Sequence, residues 1–420
     1  METLANINFL ISLLFMVCYA YQAVYLIVAF LKRRRRFPVG ERHRYAVLIA
    51  ARNEESVIAQ LIESIKEQRY PQELLEIFVV ADNCTDMTAE VAEKAGAHVY
   101  ERQDAYTVGK GYALNFLMNC ICEEYGKDAF DGFFVFDADN VLDADFVEEM
   151  NRVFDAGYEV VTSYRNSKNF ADNWLSAGYS LFFLREAIQL NRPRMLLGTS
   201  ACVSGTGFLF SNEIAKRNGG WKHFLLTEDF EFTVDCILND IRVGYCEDAV
   251  IYDEQPTELA TSFRQRSRWI KGYLQVFNRY GGRMLRKMLL DGSFSCFDMI
   301  MNNIPCLVLT CITMIFNVFM GAAGVITRTP DMDICILSML MGLFGSMCTL
   351  WFVGAVTCIT QRKRICASAT KRWIGVLTFP IFIFTFAVSM LIAIFGHVEW
   401  KPIKHSVALS RKQLDNESKE

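Results

Sequence analysis

Asp137 and Asp139 close the apolar run Phe133–Phe136 in the stretch FFVFDADNVLDADF. Four residues that belong in a core lead straight into two negative charges. On an extended chain, residues two apart point to the same side, so the two carboxylates face one point if the extended conformation continues. Side by side they repel each other unless a cation relieves them. Hard oxygen ligands with open positions suit Mg²⁺ or Mn²⁺ carrying a phosphorylated ligand. The competing structural reading is that Asp137 caps the next helix. That reading wins for the repeat of the spelling at 143–146, where DADFVEEM makes a good acidic first turn. An EF-hand loop starting at Asp137 is excluded, because Val141 and Leu142 fall where an oxygen ligand and a glycine are required.

Two further groups carry chemical potential. Thr227, Glu228 and Asp229 stand together in LLTEDFEF, where the structural alternative is a Thr cap with both acids at the positive end of a helix. Gln265, Arg268 and Trp269 sit at i, i+3 and i+4, which puts them on one helix face. Arg can bridge diphosphate oxygens in a bidentate way, and Trp offers a flat apolar face to the CH groups of a sugar. The alternative is an interfacial helix anchored at lipid headgroups by Trp and Arg. RMLRKMLL at 283–290 has that interfacial character, so 283–302 is assigned to the interface and 265–269 to the site.

The elements that position these residues alternate. YAVLIAA (45–51), EIFVVAD (76–82), GFFVFDAD (132–139) and YEVVTSY (158–164) read as strands. Between them, EESVIAQLIESIKEQ, CTDMTAEVAEKAG, GYALNFLMNCICEEYG and DADFVEEMNRVFDAG read as helices. Strand–helix alternation means a mostly parallel sheet with helices on both faces, and ligands bind beyond the carboxyl ends of its strands. That places ARNEE, ADNCTD and DADN on one rim.

The chain has 420 residues, 52% of them hydrophobic, and a net charge of −4. Four stretches lack any charge: Thr3–Leu31, Met299–Thr327, Ile334–Gln361 and Trp373–Val398. Each exceeds the roughly 20 residues that an apolar helix needs to cross a bilayer, so four transmembrane helices are expected, one N-terminal and three C-terminal. The first lacks the basic start and cleavage site of a signal peptide and reads as an uncleaved anchor. The cluster Lys32–Arg36 behind it suits anionic headgroups and places the following segment in the cytoplasm. The rule then conflicts with itself. Four crossings put the C-terminus outside, whereas Lys401, Lys404, Arg411 and Lys412 argue for inside; a re-entrant 373–398, containing Pro380, is one way out. Five of the cysteines (Cys306, Cys311, Cys335, Cys348, Cys358) fall in the expected spans, where Cys acts as a small hydrophobe. With no C-x-x-C pair, the cysteines point to neither zinc nor a disulfide framework. The net charge, and basic residues without an interleaved aromatic stripe, argue against nucleic acid.

In order along the chain, ADNCTD, KGYALN, DADN, SGTGFLF, LLTEDFEF and QRSRWIKG resemble the processive family 2 glycosyltransferases: the cellulose, chitin, hyaluronan and poly-N-acetylglucosamine synthases. The resemblance covers roughly residues 44–282 and is strongest to the bacterial exopolysaccharide branch, whose tails are similar to WKPIKH. It implies an α/β GT-A (Rossmann-like) cytoplasmic domain flanked by membrane helices in the plasma membrane. The domains expected are an anchor (1–36), a catalytic domain (37–282), an interfacial segment (283–302), transmembrane helices (303–398) and a polar tail (399–420). It also implies roles. Ala50, Arg52 and Glu54 would hold the nucleotide, Asp82 the uracil, and Lys110, Gln265 and Arg268 the diphosphate. Asp137 would sit near ribose and metal, and Asp139 would coordinate Mg²⁺ or Mn²⁺. Asp229 would be the base of an inverting transfer, with Glu228 orienting its loop. Trp269, Gly205 and Thr206 would face the acceptor. The chain departs from many relatives in lacking a Pro before Asn53–Glu54 and in its small membrane part.

Three functions compete: extension of a polysaccharide from a nucleotide-sugar donor, addition of one sugar to a lipid or lipid-linked acceptor, and a non-catalytic nucleotide-sugar sensor or synthase scaffold. A homo-oligomer or accessory subunits are compatible with all three.

Overall fold

The computed structural model of the chain describes residues 2–327, 332–403, 405–411 and 413. The uncharged N-terminal run forms two helices, α1 (Glu2–Tyr19) and α2 (Tyr21–Leu31), which meet at a 42° bend instead of continuing as one span. The bend has a visible cause. Tyr21 and Tyr25 donate hydrogen bonds of 2.9 and 2.7 Å to Asp298, which also pairs with the fully buried Arg194 at 2.7 Å. A buried carboxylate must be paired and hydrogen-bonded, so this cluster ties α2 to the body of the protein. Part of the basic cluster is likewise engaged by protein, because Arg34 pairs with Asp248.

The expected strands form. β1 (Tyr45–Ala51) is followed by α3 (Ile58–Lys66), β2 (Leu75–Asp82), α4 (Thr88–Lys94), β3 (His98–Arg102), α5 (Lys110–Tyr125), β4 (Gly132–Asp137), β5 (Val141–Leu142), α6 (Phe146–Asp155) and β6 (Val160–Ser167). Next come α7 (Trp174–Arg185), a π turn over Glu186–Asn191, α8 (Arg192–Leu197), β7 (Phe208–Ser211), α9 (Asn212–Asn218), α10 (Glu228–Leu238) and β8 (Val243–Asp253). The sheet order is β3-β2-β1-β4-β7-β6-β8-β5. β3, β2, β1 and β4 are parallel, β7 runs antiparallel between β4 and β6, and β6 pairs parallel with β8. The continuous apolar runs follow from burial on both sheet faces. Phe78, Phe134, Phe136 and Phe146 are fully buried, each stabilising the fold by roughly 1.5–3 kcal/mol.

The membrane-side helices are α11 (Leu259–Leu290), α12 (Phe294–Thr327), α13 (Met332–Gln361) and α14 (Ala369–Phe395). The last three are long and apolar enough to cross a membrane. The boundary expected at 282 falls inside α11, so 283–290 is not a separate segment; one helix carries both the Gln-x-x-Arg-Trp face and the basic amphipathic turns. Lys404 and Lys412 lie outside the described residues. Residues 400–403 and 405–407 of the tail do not run free, as the site shows.

Candidate active site

The carboxyl ends of β1, β2, β4 and β8 meet the first turns of α5 and α10 and one face of α11 around a single cavity. β4 stops at Asp137, where Asn140 N–H donates to the Asp137 carbonyl at 3.1 Å and closes a turn. The extended conformation therefore does not reach Asp139, and the two carboxylates do not align by strand alternation. Both still line the cavity. The Asp137 carboxylate accepts from Lys110, whose ammonium also donates to the Gly205 carbonyl at 2.8 Å. Asp139 is buried and accepts from the Glu254 amide at 2.9 Å. Burial works against its charge, but the positive charges of His405, Lys168 and Arg165, together with that amide, keep it below the usual carboxylate range.

Nine carboxylates line the cavity (Glu54, Asp82, Asp137, Asp139, Glu186, Glu228, Asp229, Asp253, Glu254) against five Lys or Arg side chains and His405. A bound cation would offset part of this negative charge. The cavity's donors are hard oxygens, which fit Mg²⁺ or Mn²⁺. Among the described residues no three His, Cys, Asp or Glu side chains converge on a ready-made cage.

Glu228 and Asp229 open α10. Thr227 holds the N-cap position without a side-chain cap bond, its hydroxyl buried with no partner, so that half of the helix-cap alternative fails, whereas both acids do stand in the first turn of α10. Burial and the Asp229 charge push Glu228 up to about 7, against Lys110 and Arg268. Burial also raises Asp229, opposed by the backbone amides of Phe230 and Gly205 and by Lys110. Gln265, Arg268 and Trp269 all face the cavity from α11. Gln265 Oε1 and Arg268 Nε are buried without hydrogen-bond partners, and a buried polar atom left unmet costs about 1–3 kcal/mol. Trp269 packs edge-on against Tyr179 and Phe183, each at 5.9 Å.

Three expectations change. Thr206 does not face an acceptor: its buried hydroxyl bonds to Asn140 and receives the Asp137 amide at 2.9 Å, so it braces the Asp-x-Asp turn. Gly205, beside it, does line the cavity, at φ +78°. Glu54 is held at 2.9 and 3.1 Å by His405, from a tail expected to be merely polar. Asp82 lines the cavity yet is ion-paired with Arg102 at 2.6 Å, both bonds that it accepts falling on Oδ1. Ala50 and Arg52 lie at the rim, Arg52 stacking over Trp400 at 5.3 Å.

Sequence reasoning missed the second half of the site. Asp253 ends β8 and Glu254 follows it, and Asp253 pairs with the half-buried Arg165 at 2.6 Å. Burial pushes Asp253 up to about 6, Arg165 opposing and Asp139 reinforcing. The signal was present, since VIYDE repeats the apolar-run-then-acid pattern of the other strand ends. The tail residues Trp400, Lys401, Pro402, Ile403 and His405 close the cavity from above. Burial disfavours the charged imidazole of His405, but Asp139, Glu54 and Glu254 outweigh it and push its pKa up to about 10. The Ser406 and Val407 amides donate to Glu254 at 2.9 and 2.8 Å, which pins the tail across the strand ends.

Residues 43–272 match the family model described as Glycosyltransferase like family 2. A probable glycosyltransferase, YdaM, of Bacillus subtilis is 25% identical over 259 residues, 56% of this chain and 57% of the relative. Beta-monoglucosyldiacylglycerol synthase of Nostoc is 27% identical over 266 residues, 61% of this chain and 54% of the relative. Poly-beta-1,6-N-acetyl-D-glucosamine synthase of Staphylococcus epidermidis is 25% identical over 238 residues, 55% of each. The chain thus spans a little over half the length of these curated relatives. In fold, the mannosyltransferase PcManGT of Pyrobaculum calidifontis, solved with GDP-Man and Mn²⁺, superposes with a TM-score of 0.60 at 15% identity, covering 92% of this chain and 99% of its own.

Proposed function

The chain belongs to glycosyltransferase family 2, and on that premise we propose that it transfers a sugar from a UDP-sugar, with inversion, to a hydroxyl of a growing polysaccharide at the cytoplasmic face of the plasma membrane. The observation that carries the reading is the convergence on one cavity of the Glu228–Asp229 pair, Lys110 and an arginine, Arg268, whose Nε has no partner. An acceptor hydroxyl must lose its proton as it attacks, and a positioned carboxylate can take it. Asp229 is that base. As the acceptor oxygen bonds to the anomeric carbon, the bond from that carbon to the diphosphate breaks, and Lys110 and Arg268 meet the departing charge. Asp139 and Asp137 would hold Mg²⁺ or Mn²⁺, which would supply positive charge for the leaving diphosphate. Ala50, Arg52, Glu54 and Asp82 flank the nucleoside, and Gln265 reaches toward the diphosphate.

The aromatic wall of Trp269, Phe182 and Tyr273 offers flat faces to an acceptor sugar. A second reading, addition of one sugar to a lipid-linked acceptor, is favoured by a different fact: Phe182 stacks at 5.8 Å on Phe386 of the apolar helix α14, so that wall abuts the membrane side. Product length in membrane vesicles separates the two, as a ladder for the first and a single lipid-soluble species for the second. Asp229→Asn tests catalysis itself. UDP binding is retained and turnover falls by about 10²–10⁴-fold, the usual contribution of a general base. Unchanged turnover would show that Asp229 is not the base, and only UDP binding without any turnover in the unaltered chain would leave the sensor reading.

A further inference from the structure

Hydropathy and charge disagree about the C-terminal part of this chain, and the packing of α14 decides between them. We propose that α14 does not cross the bilayer but lies along the membrane face of the catalytic domain, its outer side in the acyl layer, with the tail on the catalytic side.

Both ends of α14 are fastened to the same domain. Before the helix, Tyr164 of β6 donates to Gln361 at 2.9 Å, Asn166 donates to the Arg364 carbonyl at 2.7 Å, and Arg364 donates to the Glu247 carbonyl at 3.1 Å. After it, the tail is pinned to Glu54 and Glu254 by the contacts described above. The helix has 27 residues, or about 40 Å at 1.5 Å per residue. A helix crossing the membrane cannot bring both ends to one side.

The middle is fastened as well. Arg266 donates to the Phe382 carbonyl at 3.1 Å, Ser267 to the Ser389 carbonyl at 3.0 Å, and Lys271 to the Ala393 carbonyl at 3.2 Å. These donors sit on α11 beside the active-site face, and two are cations that would be costly to hold within a bilayer core. Glycine permits the close approach to α7, because a Cβ at Gly178 would lie 2.4 Å from the Phe382 ring.

Composition agrees. Lys371 and Arg372 stand at one end of the helix, and Lys401 and Arg411 follow the other, so basic residues mark both ends as cytoplasmic. The occupant of the outer face is the bilayer that α12 and α13 enter. Ile374, Leu377, Ile381 and Val388 are 50, 63, 51 and 45% exposed and form an uncharged strip. A helix with one apolar face outward and one face against protein lies in the interface plane. The crossings that remain are the bent pair α1–α2, taken as one span, α12 and α13, an odd number, which puts the N-terminus opposite the tail.

The test places one epitope with a protease site at three positions of the full-length chain: after Glu420, between Asp128 and Ala129 on the catalytic domain, and after Thr329 between α12 and α13. In sealed vesicles with the catalytic domain outward, protease removes the first two epitopes and spares the third. An epitope after Glu420 that survives until detergent is added, while the one at 128 is lost, overturns the proposal. Carboxypeptidase trimming of the untagged chain, followed by mass spectrometry, repeats the test without an insertion: trimming before detergent supports the proposal, and trimming only after it overturns the proposal.

Discussion

Two adjacent acids, Glu228 and Asp229, carry most of the chemistry at the scale of the residue, and their surroundings set a pH dependence. Burial raises both above the ordinary carboxylate range of about 4. A base must be ionised to accept a proton, so activity is present above the raised pKa values and is lost as pH falls through them. The acid limb of kcat/KM in the free enzyme therefore lies above the ordinary carboxylate range, because burial raises Asp229. A limb near pH 4 would show that neither buried acid is the base. Arg268 gives a second residue-scale prediction. Its Nε has no partner, so Arg268→Ala leaves the melting temperature nearly unchanged. Hydrogen bonds to charged groups contribute about 1.5–3 kcal/mol, so kcat/KM for the donor falls about 10- to 150-fold. Equal loss of stability and activity would instead make Arg268 a packing residue.

Elements fix where those residues stand, and α5 shows how tightly. A Cβ at Gly111, the second residue of α5, would lie 2.1 Å from the carbonyl oxygen of His223. Backbone cannot yield as a flexible side chain can. Gly111→Ala, which usually stabilises a helix by roughly 0.5–1 kcal/mol, should here destabilise by about 1–3 kcal/mol and move Lys110 off Asp137. Thermal unfolding and donor turnover fall together if this is right; a stabilised, active variant would refute it. The same scale explains what could be read from the chain. β1, β2, β4 and β6 were legible because burial on both faces makes them unbroken apolar runs. β8 was not, because Cys246, Glu247 and Asp248 interrupt its apolar pattern near a register shift in its pairing with β6. β3 hid at the sheet edge as HVYER, with more polar than apolar residues, and β7 is only four residues long. The acids at the ends of β1, β2 and β4 could be placed on one rim from alternation alone. The inward turn of Thr206 could not, since it depends on a bond to Asn140, 66 residues earlier.

Across the whole molecule, the least legible feature is the tail, because its partners stand some 350 residues away: His405 bonds Glu54 across 351 positions. Its position follows from charge. The cavity holds more acids than bases, and an imidazolium raised to about 10 supplies one of the positive charges it lacks. A divalent cation carrying a nucleotide supplies positive charge to the same carboxylates. His405 and a cation bound there would therefore compete for the field of Glu54 and Asp139. His405→Ala removes the competitor while Ser406 and Val407 still bind Glu254. The concentration of Mn²⁺ that half-saturates UDP binding should then fall by about tenfold, equivalent to about 1.4 kcal/mol. Calorimetric titration of UDP at fixed Mn²⁺ steps measures this directly. A weaker Mn²⁺ requirement supports the competition, whereas a stronger one would mean that the tail helps to hold the donor and that competition is the wrong account.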